Sequence, residues 1–252
     1  WAAWLSIFGT ALSPITFIAV PAKTFSSDWS YFFLNISILL VAPIVILFFI
    51  PLYRSLGITS VYEYLEKRFN NSIRLIGSVV FLIFQIGRMG IVLFLPAIAL
   101  NLVSGNINIF SSILLMGVIS LIYTLMGGIE AVIWTDVIQV IILLGGALLS
   151  LILIVTNING GINEIIETGV IDQKFNIVDQ RLSLDQPTFL VVIIGGFFAN
   201  LITYGTDQTI VQRYLVTKSK KQAIKGVWIN ALISIPATLI FFFLGTALFL
   251  SL

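Results

Sequence analysis

Long apolar runs alternate with short polar segments along this chain, at intervals that match membrane-spanning helices. A helix needs about 20 apolar residues to cross the ~30 Å hydrocarbon core of a bilayer. Seven runs reach that length, and they predict spans at about 2–20, 31–51, 75–102, 107–126, 132–156, 187–214 and 226–250. The pattern therefore predicts an all-α integral membrane protein whose residues 1–252 form a single transmembrane domain.

Two polar segments between the spans have patterns of their own. Residues 59–69 alternate apolar and charged positions with the period of an amphipathic helix, which predicts a short helix at the membrane surface. Residues 157–186 form an acidic loop in which 162–167 are expected to be helical.

Composition narrows the possible chemistry. Of the 252 residues, 59% are apolar and 10% are charged, and the chain has neither His nor Cys. Disulfides, thiolate nucleophiles, histidine bases and histidine metal ligands are therefore excluded, and we expect no enzymatic activity. Since the chain begins at Trp1 without Met and ends at Leu252 inside an apolar run, we expect it to be a fragment.

The positions of the basic residues predict an orientation. Nine of the thirteen Lys and Arg residues follow the second and sixth spans, and such clusters favour the cytoplasmic side of a membrane. The acidic loop then lies outside, together with Lys23, Lys174 and Arg181.

The first span is interrupted by helix-breaking residues. Pro14 cannot donate a hydrogen bond to the carbonyl of Thr10, and Gly9 lowers the cost of leaving helical geometry. The helix is therefore predicted to break near Thr10, within 9–14. Ser6, Gly9, Thr10, Ser13 and Thr16 share one face, and freed backbone groups are tolerated in a membrane only against protein or a water-filled cavity. A simple proline kink healed by neighbouring hydroxyls is the alternative.

A second interruption favours the functional interpretation of the first. The sixth span carries Asn200, Tyr204 and Asp207 around Gly205, which predicts a break at about 203–207. Paired breaks five helices apart are typical of transporters built from inverted repeats, with substrate and cations bound between them. We expect Thr10, Asn200 and Tyr204 to contact the substrate.

Three isolated charges lie within the predicted spans. Arg88 is the only charge from residue 75 to 129. It is expected to bind an anionic substrate, or else to pair with carbonyls of a broken helix or with an acid in helices that the expected fragment lacks. Asp136 is expected either to complement a helix dipole or to act as a cation ligand or gate near the cytoplasmic exit. Asp207 is expected to be a buried hydrogen-bonding residue that pairs with Arg213.

Two stretches resemble the sodium:solute symporter family. They are 127–139, GGIEAVIWTDVIQ, and 207–214, DQTIVQRY. The segments 13–17 and 21–29, with 86–88, resemble more narrowly the bacterial sialic acid branch of that family. The resemblance implies a LeuT-type five-plus-five inverted repeat, with its first repeat at about 1–157, an extracellular loop at about 157–186 and the start of the second repeat at about 187–252.

The resemblance also implies a site and a cellular location. Substrate contacts would fall on Ser13, Thr16, Tyr31, Asn35 and Arg88. Main-chain carbonyls of Gly9 and Leu12 would bind Na+ together with hydroxyls of a later helix, and Asp136 would bind a second Na+. We expect a multi-pass, monomeric protein of the bacterial plasma membrane, whose partners are sodium, a small anionic substrate and lipid, with no nucleic acid.

The chain departs from the sialic acid branch at four positions. Ala11 and Pro14 replace hydroxyl residues, Tyr31 replaces Phe and Asn35 replaces Gln. Sodium-coupled import of sialic acid is the function expected. Proline, pantothenate, a monocarboxylate or a sugar remain alternative solutes, and a membrane sensor or scaffold is the alternative from another class.

Overall fold

The computed structural model describes residues 1–179 and 185–251, so Arg181 lies outside the described residues. Its regular structure is helical throughout those ranges. In chain order the helices are α1 (Ala2–Ala11), α2 (Pro14–Ser26), α3 (Phe32–Ile36), α4 (Ile38–Ile44), a π-helical turn (Val45–Phe49), α5 (Ile50–Ser55), α6 (Val61–Arg68), α7 (Asn71–Ser104), α8 (Ile109–Asn157), α9 (Gly161–Ile171), α10 (Phe189–Gly205), α11 (Gln208–Leu215) and α12 (Lys220–Ser251).

Four helical stretches of the described residues are long and apolar enough to cross a membrane, and two bent pairs bring the number to six. Helix α8 has 49 residues, or about 73 Å at ~1.5 Å per residue. Because that length is more than twice the ~30 Å of a bilayer core, we count α8 as two spans. The predicted fourth and fifth spans thus belong to one long helix, with a kink between them.

The kink in α8 depends on two adjacent glycines. Gly128 has φ 55° and ψ −147°, a conformation that L-residues with a side chain rarely adopt. A Cβ on Gly127 would lie 2.4 Å from the Cβ of Ala131. The chain can therefore change direction here only because both positions lack a side chain.

Both predicted helix breaks are confirmed, and each lies within its predicted range, 9–14 for the first and 203–207 for the second. Helices α1 and α2 meet at 47° across Leu12 and Ser13, and α10 and α11 meet at 51° across Thr206 and Asp207. Within the predicted range 9–14, α1 continues through Thr10, whose hydroxyl donates to the carbonyl of Ser6 at 2.7 Å, and it ends at Ala11.

Capping side chains set the start of the second half of each broken pair. Ser13 accepts from the N–H of Thr16 at 3.4 Å, and Asp207 accepts from the N–H of Thr209 at 2.8 Å. These bonds satisfy N–H groups that have no partner inside the new helix.

The two predicted polar helices are confirmed: α6 covers the amphipathic segment and α9 covers the helix expected in the acidic loop. Helix α6 begins at a cap in which Ser60 accepts from the N–H of Tyr62. Its Tyr62 ring then packs against Phe81 of α7, with centroids 5.5 Å apart.

Helix α1 is enclosed by α8, α11 and α12, whereas α7 has the apolar surface of a lipid-facing helix. Ile7 of α1 is fully buried, as are Val211 of α11 and Val227 of α12. The broken helix therefore lies at the centre of the bundle, where freed backbone groups are shielded from lipid.

Two basic side chains join segments that are far apart in the chain, one at each end of the bundle. Arg54 donates to the carbonyls of Tyr214 and Thr217, at 3.0 and 3.2 Å. At the other end of the α1–α2 pair, Lys174 donates to the carbonyls of Phe25 and Ser27, at 2.8 and 3.0 Å.

Candidate functional site

A cavity of about 270 Å³ lies beside the break between α1 and α2. Its apolar walls include Phe8 of α1 and Phe241 of α12. Six of the eight residues predicted to bind substrate line it: Thr10, Thr16, Asn35, Arg88, Asn200 and Tyr204. The space suits a small organic molecule and lies between the broken helices, as predicted from the sequence.

The other two predicted substrate residues lie outside this cavity. The hydroxyl of Ser13 is 3.5 Å from that of Thr16, so Ser13 is behind a lining residue and also caps α2. Tyr31 lines a separate depression with Leu34 and Pro187, where the ammonium of Lys23 lies 5.1 Å from its ring centroid.

The amide of Asn200 holds helices together. Its Nδ2 donates to the carbonyl of Leu34 at 3.0 Å, to the hydroxyl of Ser37 at 2.8 Å and to the carbonyl of Gly196 at 3.0 Å. The N–H groups of Asn200 are thus already used, and only its oxygen is left to accept a hydrogen bond from a ligand.

Arg88 has an acidic partner that the sequence analysis assigned elsewhere. Its Nη1 lies 3.4 Å from Oδ2 of Asp207, at the break between α10 and α11. The predicted pairing of Asp207 with Arg213 is wrong, because the guanidinium of Arg213 contacts Asp136 at 2.6 Å.

Asp136 belongs to a buried network that joins three helices. Its Oδ2 accepts from Nη2 of Arg213 at 2.6 Å, from the hydroxyl of Ser6 at 2.5 Å and from that of Thr10 at 3.4 Å. The Nε of Arg213 also donates to the Ser6 hydroxyl at 2.7 Å. Asp136 lies two turns after the kink in α8, so it is not in the first turn of a helix. Its carboxylate forms an ion pair with Arg213 and does not complement a helix dipole.

The carbonyls of Gly9 and Leu12 lie where a cation site was expected. Neither receives a backbone hydrogen bond from the described residues, and both receive one from Nε2 of Gln139, at 3.3 and 2.7 Å respectively. A Cβ on Gly9 would lie 2.9 Å from the carbonyl oxygen of Asp136. The glycine therefore allows α1 to approach α8 closely enough for the Gln139 side chain to bridge the break.

Several residues of the site were missed from the sequence. Gln139 was quoted in a motif but given no role, although an amide in a lipid-spanning run is itself a signal of an internal partner. Ser234 and Thr238 of α12 line the cavity beside Ala237. Their spacing of four residues on one helix face was the available signal.

Burial and, to a smaller extent, the charge of Asp207 raise the pKa of Tyr62 to about 12. Tyr62 lies on helix α6, so the Asp207 carboxylate at the break between α10 and α11 is near enough to this helix for its charge to act on the phenol. Gln208 strengthens the same junction, because its Oε1 accepts from the N–H of Val61 at 2.8 Å.

Two broken helices around a cavity, with freed carbonyls beside it, are the arrangement found in membrane transporters built from inverted repeats. A sequence model described as "Sodium:solute symporter family" matches residues 1–250. The chain belongs to this family, whose members are transporters, and it is a multi-pass membrane protein.

Individual relatives agree with that assignment. The sodium/sialic acid symporter SiaT of Proteus mirabilis is 43% identical over 99% of this chain and 50% of its own length. The sodium/sialic acid symporter NanT of Aliivibrio fischeri is 42% identical over 99% of this chain and 49% of its own. The sodium-coupled monocarboxylate transporter 1 of Xenopus laevis is 35% identical over 90% of this chain and 36% of its own.

A solved structure is similar over the whole chain. It is a substrate-bound, outward-open Na+-coupled sialic acid symporter, which matches with a TM-score of 0.95 and 42% identity over 100% of this chain and 53% of that one. The prediction of an all-α membrane protein with the LeuT-type fold is confirmed. The chain spans about half the length of the curated relatives it matches.

Proposed function

We propose that the full-length protein is a sodium-coupled symporter that imports a small organic anion, sialic acid in the first place. The observation that carries this proposal is the position of Arg88 on a 270 Å³ cavity between two broken helices. A guanidinium offers a planar set of donors that matches a carboxylate. The naming of two relatives as sialic acid symporters supports the choice of substrate.

Within the cavity, Arg88 would bind the carboxylate, and hydroxyls would bind the remaining polar groups. Thr16 and Asn35 offer donors on the side of α2 and α3, and Thr238 offers one from α12. The Thr10 hydroxyl already donates to Ser6, so it would accept a hydrogen bond from the substrate. Phe8 and Phe241 would cover the carbon skeleton. Ser13 would affect substrate binding through its contact with Thr16. Tyr31 would contact the substrate outside the cavity, on its way in.

Sodium would bind at the break between α1 and α2. The carbonyl oxygens of Gly9 and Leu12 suit a hard cation, because each keeps a lone pair beside the one that Gln139 uses. Asp136 would contribute to a second sodium site, in exchange for part of its bonding to Ser6 and Arg213. Sodium bound there would favour the conformation that binds substrate, and this linkage couples the two fluxes.

The proposal includes the organisation of the chain. Residues 1–157 would form the first inverted repeat and residues from 187 onward would begin the second, with an extracellular loop between them. The protein would act as a monomer in a bacterial plasma membrane. It would catalyse no covalent reaction, since transport needs only alternating access to the cavity.

Another carboxylate is the second candidate substrate. Ala11 lines the cavity where the sialic acid branch has a hydroxyl residue, and a smaller acid needs fewer hydrogen bonds than a sialic acid. The similarity to a monocarboxylate transporter favours this alternative over proline, pantothenate or a neutral sugar.

Uptake into proteoliposomes tests the proposal. The full-length protein is expected to accumulate radiolabelled N-acetylneuraminate only under an inward Na+ gradient. Unlabelled N-acetylneuraminate, lactate, proline and glucose are added as competitors. Accumulation that is independent of Na+ would contradict symport, and competition by lactate at lower concentration than unlabelled N-acetylneuraminate would favour the second candidate.

A further inference from the structure

The ion pair between Arg88 and Asp207 has no role in the function proposed so far. We propose that Asp207 is an internal counter-anion that competes with the substrate carboxylate for Arg88, and thereby sets the affinity and charge selectivity of the site. This inference rests on the proposed function, because it needs an anion at Arg88.

The two oxygens of Asp207 have separate partners. Oδ1 caps α11 by accepting from the N–H of Thr209 at 2.8 Å and from its hydroxyl at 2.6 Å. Oδ2 is left to face Nη1 of Arg88 at 3.4 Å. The cap requires an oxygen acceptor but no charge, so the negative charge of Asp207 serves the contact with Arg88.

The surroundings leave Arg88 as the ionic partner of Asp207. The nearby Arg213 is occupied by Asp136 at 2.6 Å, and Arg88 is the basic residue that lines the cavity among the described residues. The Asp207 side chain is 11% exposed and that of Arg88 is 35% exposed. The carboxylate is therefore nearly enclosed, whereas part of the guanidinium remains open to a ligand.

This arrangement has a cost and a benefit for binding. Without substrate, Asp207 neutralises a cation that would otherwise be unpaired inside the bundle. With an anionic substrate present, two carboxylates share one guanidinium and repel each other across a few ångströms. Asp207 should thus weaken the binding of acids, which helps a transporter to release its substrate, and should leave neutral ligands unaffected.

The variant Asp207→Asn separates the two roles of this side chain. The amide oxygen can retain the cap on Thr209, and the amide nitrogen then replaces the carboxylate oxygen that faces Arg88. Asp207→Ser also preserves a capping oxygen while it removes the charge, and it serves as a second variant if Asn is poorly tolerated. Both should tighten the binding of acids.

Asp28 provides a matched control. Its Oδ1 accepts from the N–H of Ser30 at 2.9 Å and also from the Ser30 hydroxyl, which repeats the geometry of Asp207 and Thr209. No ion pair joins Asp28 to a basic residue in the part of the chain that the structure describes. Asp28→Asn therefore removes the same charge from the same local motif, away from Arg88.

The experiment is isothermal titration calorimetry of the purified full-length protein in saturating Na+, with N-acetylneuraminate and its methyl ester as ligands. Asp207→Asn is expected to lower the Kd of the acid about tenfold and to change that of the ester less than twofold. Asp28→Asn is expected to change neither. An equal gain for acid and ester would overturn the inference, because charge competition acts on the acid alone.

The variant Arg88→Gln distinguishes failure of this inference from failure of the proposed function. Absence of wild-type binding, or acid binding that survives Arg88→Gln, would overturn both. Acid binding that depends on Arg88 but is not tightened in Asp207→Asn would overturn this inference alone. The double variant Arg88→Gln/Asp207→Asn avoids an unpaired carboxylate and should bind the acid as weakly as Arg88→Gln.

Discussion

Arg213 is enclosed by three helices, and its charge is compensated by Asp136 and Ser6. Its residue surface is only 5% exposed, and removal of one partner from a buried pair leaves the other charge uncompensated. We predict that Arg213→Ala lowers the free energy of unfolding by about 3–5 kcal/mol, as measured by thermal unfolding in detergent.

Arg74 gives the matched control for that measurement. It pairs with Glu66 at 2.5 Å, but the two side chains are 38% and 41% exposed. Exposed pairs contribute about 0–1 kcal/mol, so Arg74→Ala should have little effect. Equal losses in the two variants would contradict the view that burial makes the Asp136 network important.

Gln139 supports a second prediction at this scale. Gln139→Leu leaves the carbonyls of Gly9 and Leu12 without a donor, which should cost about 1–3 kcal/mol of stability. Saturating Na+ should reduce that loss, because a cation at the same carbonyls replaces the missing donor. Thermal unfolding with Na+ and with choline measures both quantities.

Gln85→Leu is the control for Gln139→Leu. The buried Oε1 of Gln85 has no hydrogen-bond partner among the described residues, so its removal should be neutral or stabilising. A loss in Gln139→Leu that is the same in Na+ and in choline would argue against a sodium site at these carbonyls.

The sequence identified the residues that matter at this scale more reliably than it identified their partners. Arg88 and Asp136 were visible because each is an isolated charge in an apolar run. Their partners lie 119 and 77 residues away along the chain. Which basic residue pairs with Asp207 depends on the packing of helices that are distant in the chain, and the sequence carries no local signal for that packing.

At the scale of elements, the kink at Gly128 supports a prediction about two glycines of one helix. Gly128→Ala should destabilise the protein by about 1–3 kcal/mol, because Ala must adopt a strained backbone conformation. Gly145 lies in the same helix with helical geometry and open space around its Cα. Gly145→Ala should therefore be neutral or slightly stabilising.

Thermal unfolding of the two glycine variants side by side measures the difference. A Gly128→Ala variant as stable as Gly145→Ala would mean that the kink is not a feature of the folded state. α8 would then form a straight helix far longer than a bilayer requires.

Apolar length and helix-breaking residues predicted all seven spans and both breaks, because these are local properties. The exact break positions were less predictable. Hydroxyl and carboxylate caps at Ser13 and Asp207 start the second helices, and the Thr10 hydroxyl donates within the last turn of α1. The choice among several local polar groups depends on which one the neighbouring helices leave free.

At the scale of the whole molecule, the central claim is that an anion binds at Arg88 between the two broken helices, in a symporter driven by Na+. The residues concerned lie on different helices: Arg88 is on α7, the carbonyls that would bind Na+ are at the end of α1, and Asp207 is between α10 and α11. A test of the claim must therefore measure charge recognition and sodium dependence together.

The most direct measurement is the affinity of the full-length protein for N-acetylneuraminate and for its neutral methyl ester, in Na+ and in choline, for wild type and Arg88→Gln. The account predicts that wild type in Na+ prefers the acid by at least about thirtyfold, from a charge-assisted contact of ~2 kcal/mol or more. It predicts that Arg88→Gln loses this preference and that choline weakens binding of both ligands. A preference for the acid that persists in Arg88→Gln, or affinities that are equal in Na+ and choline, would contradict the account.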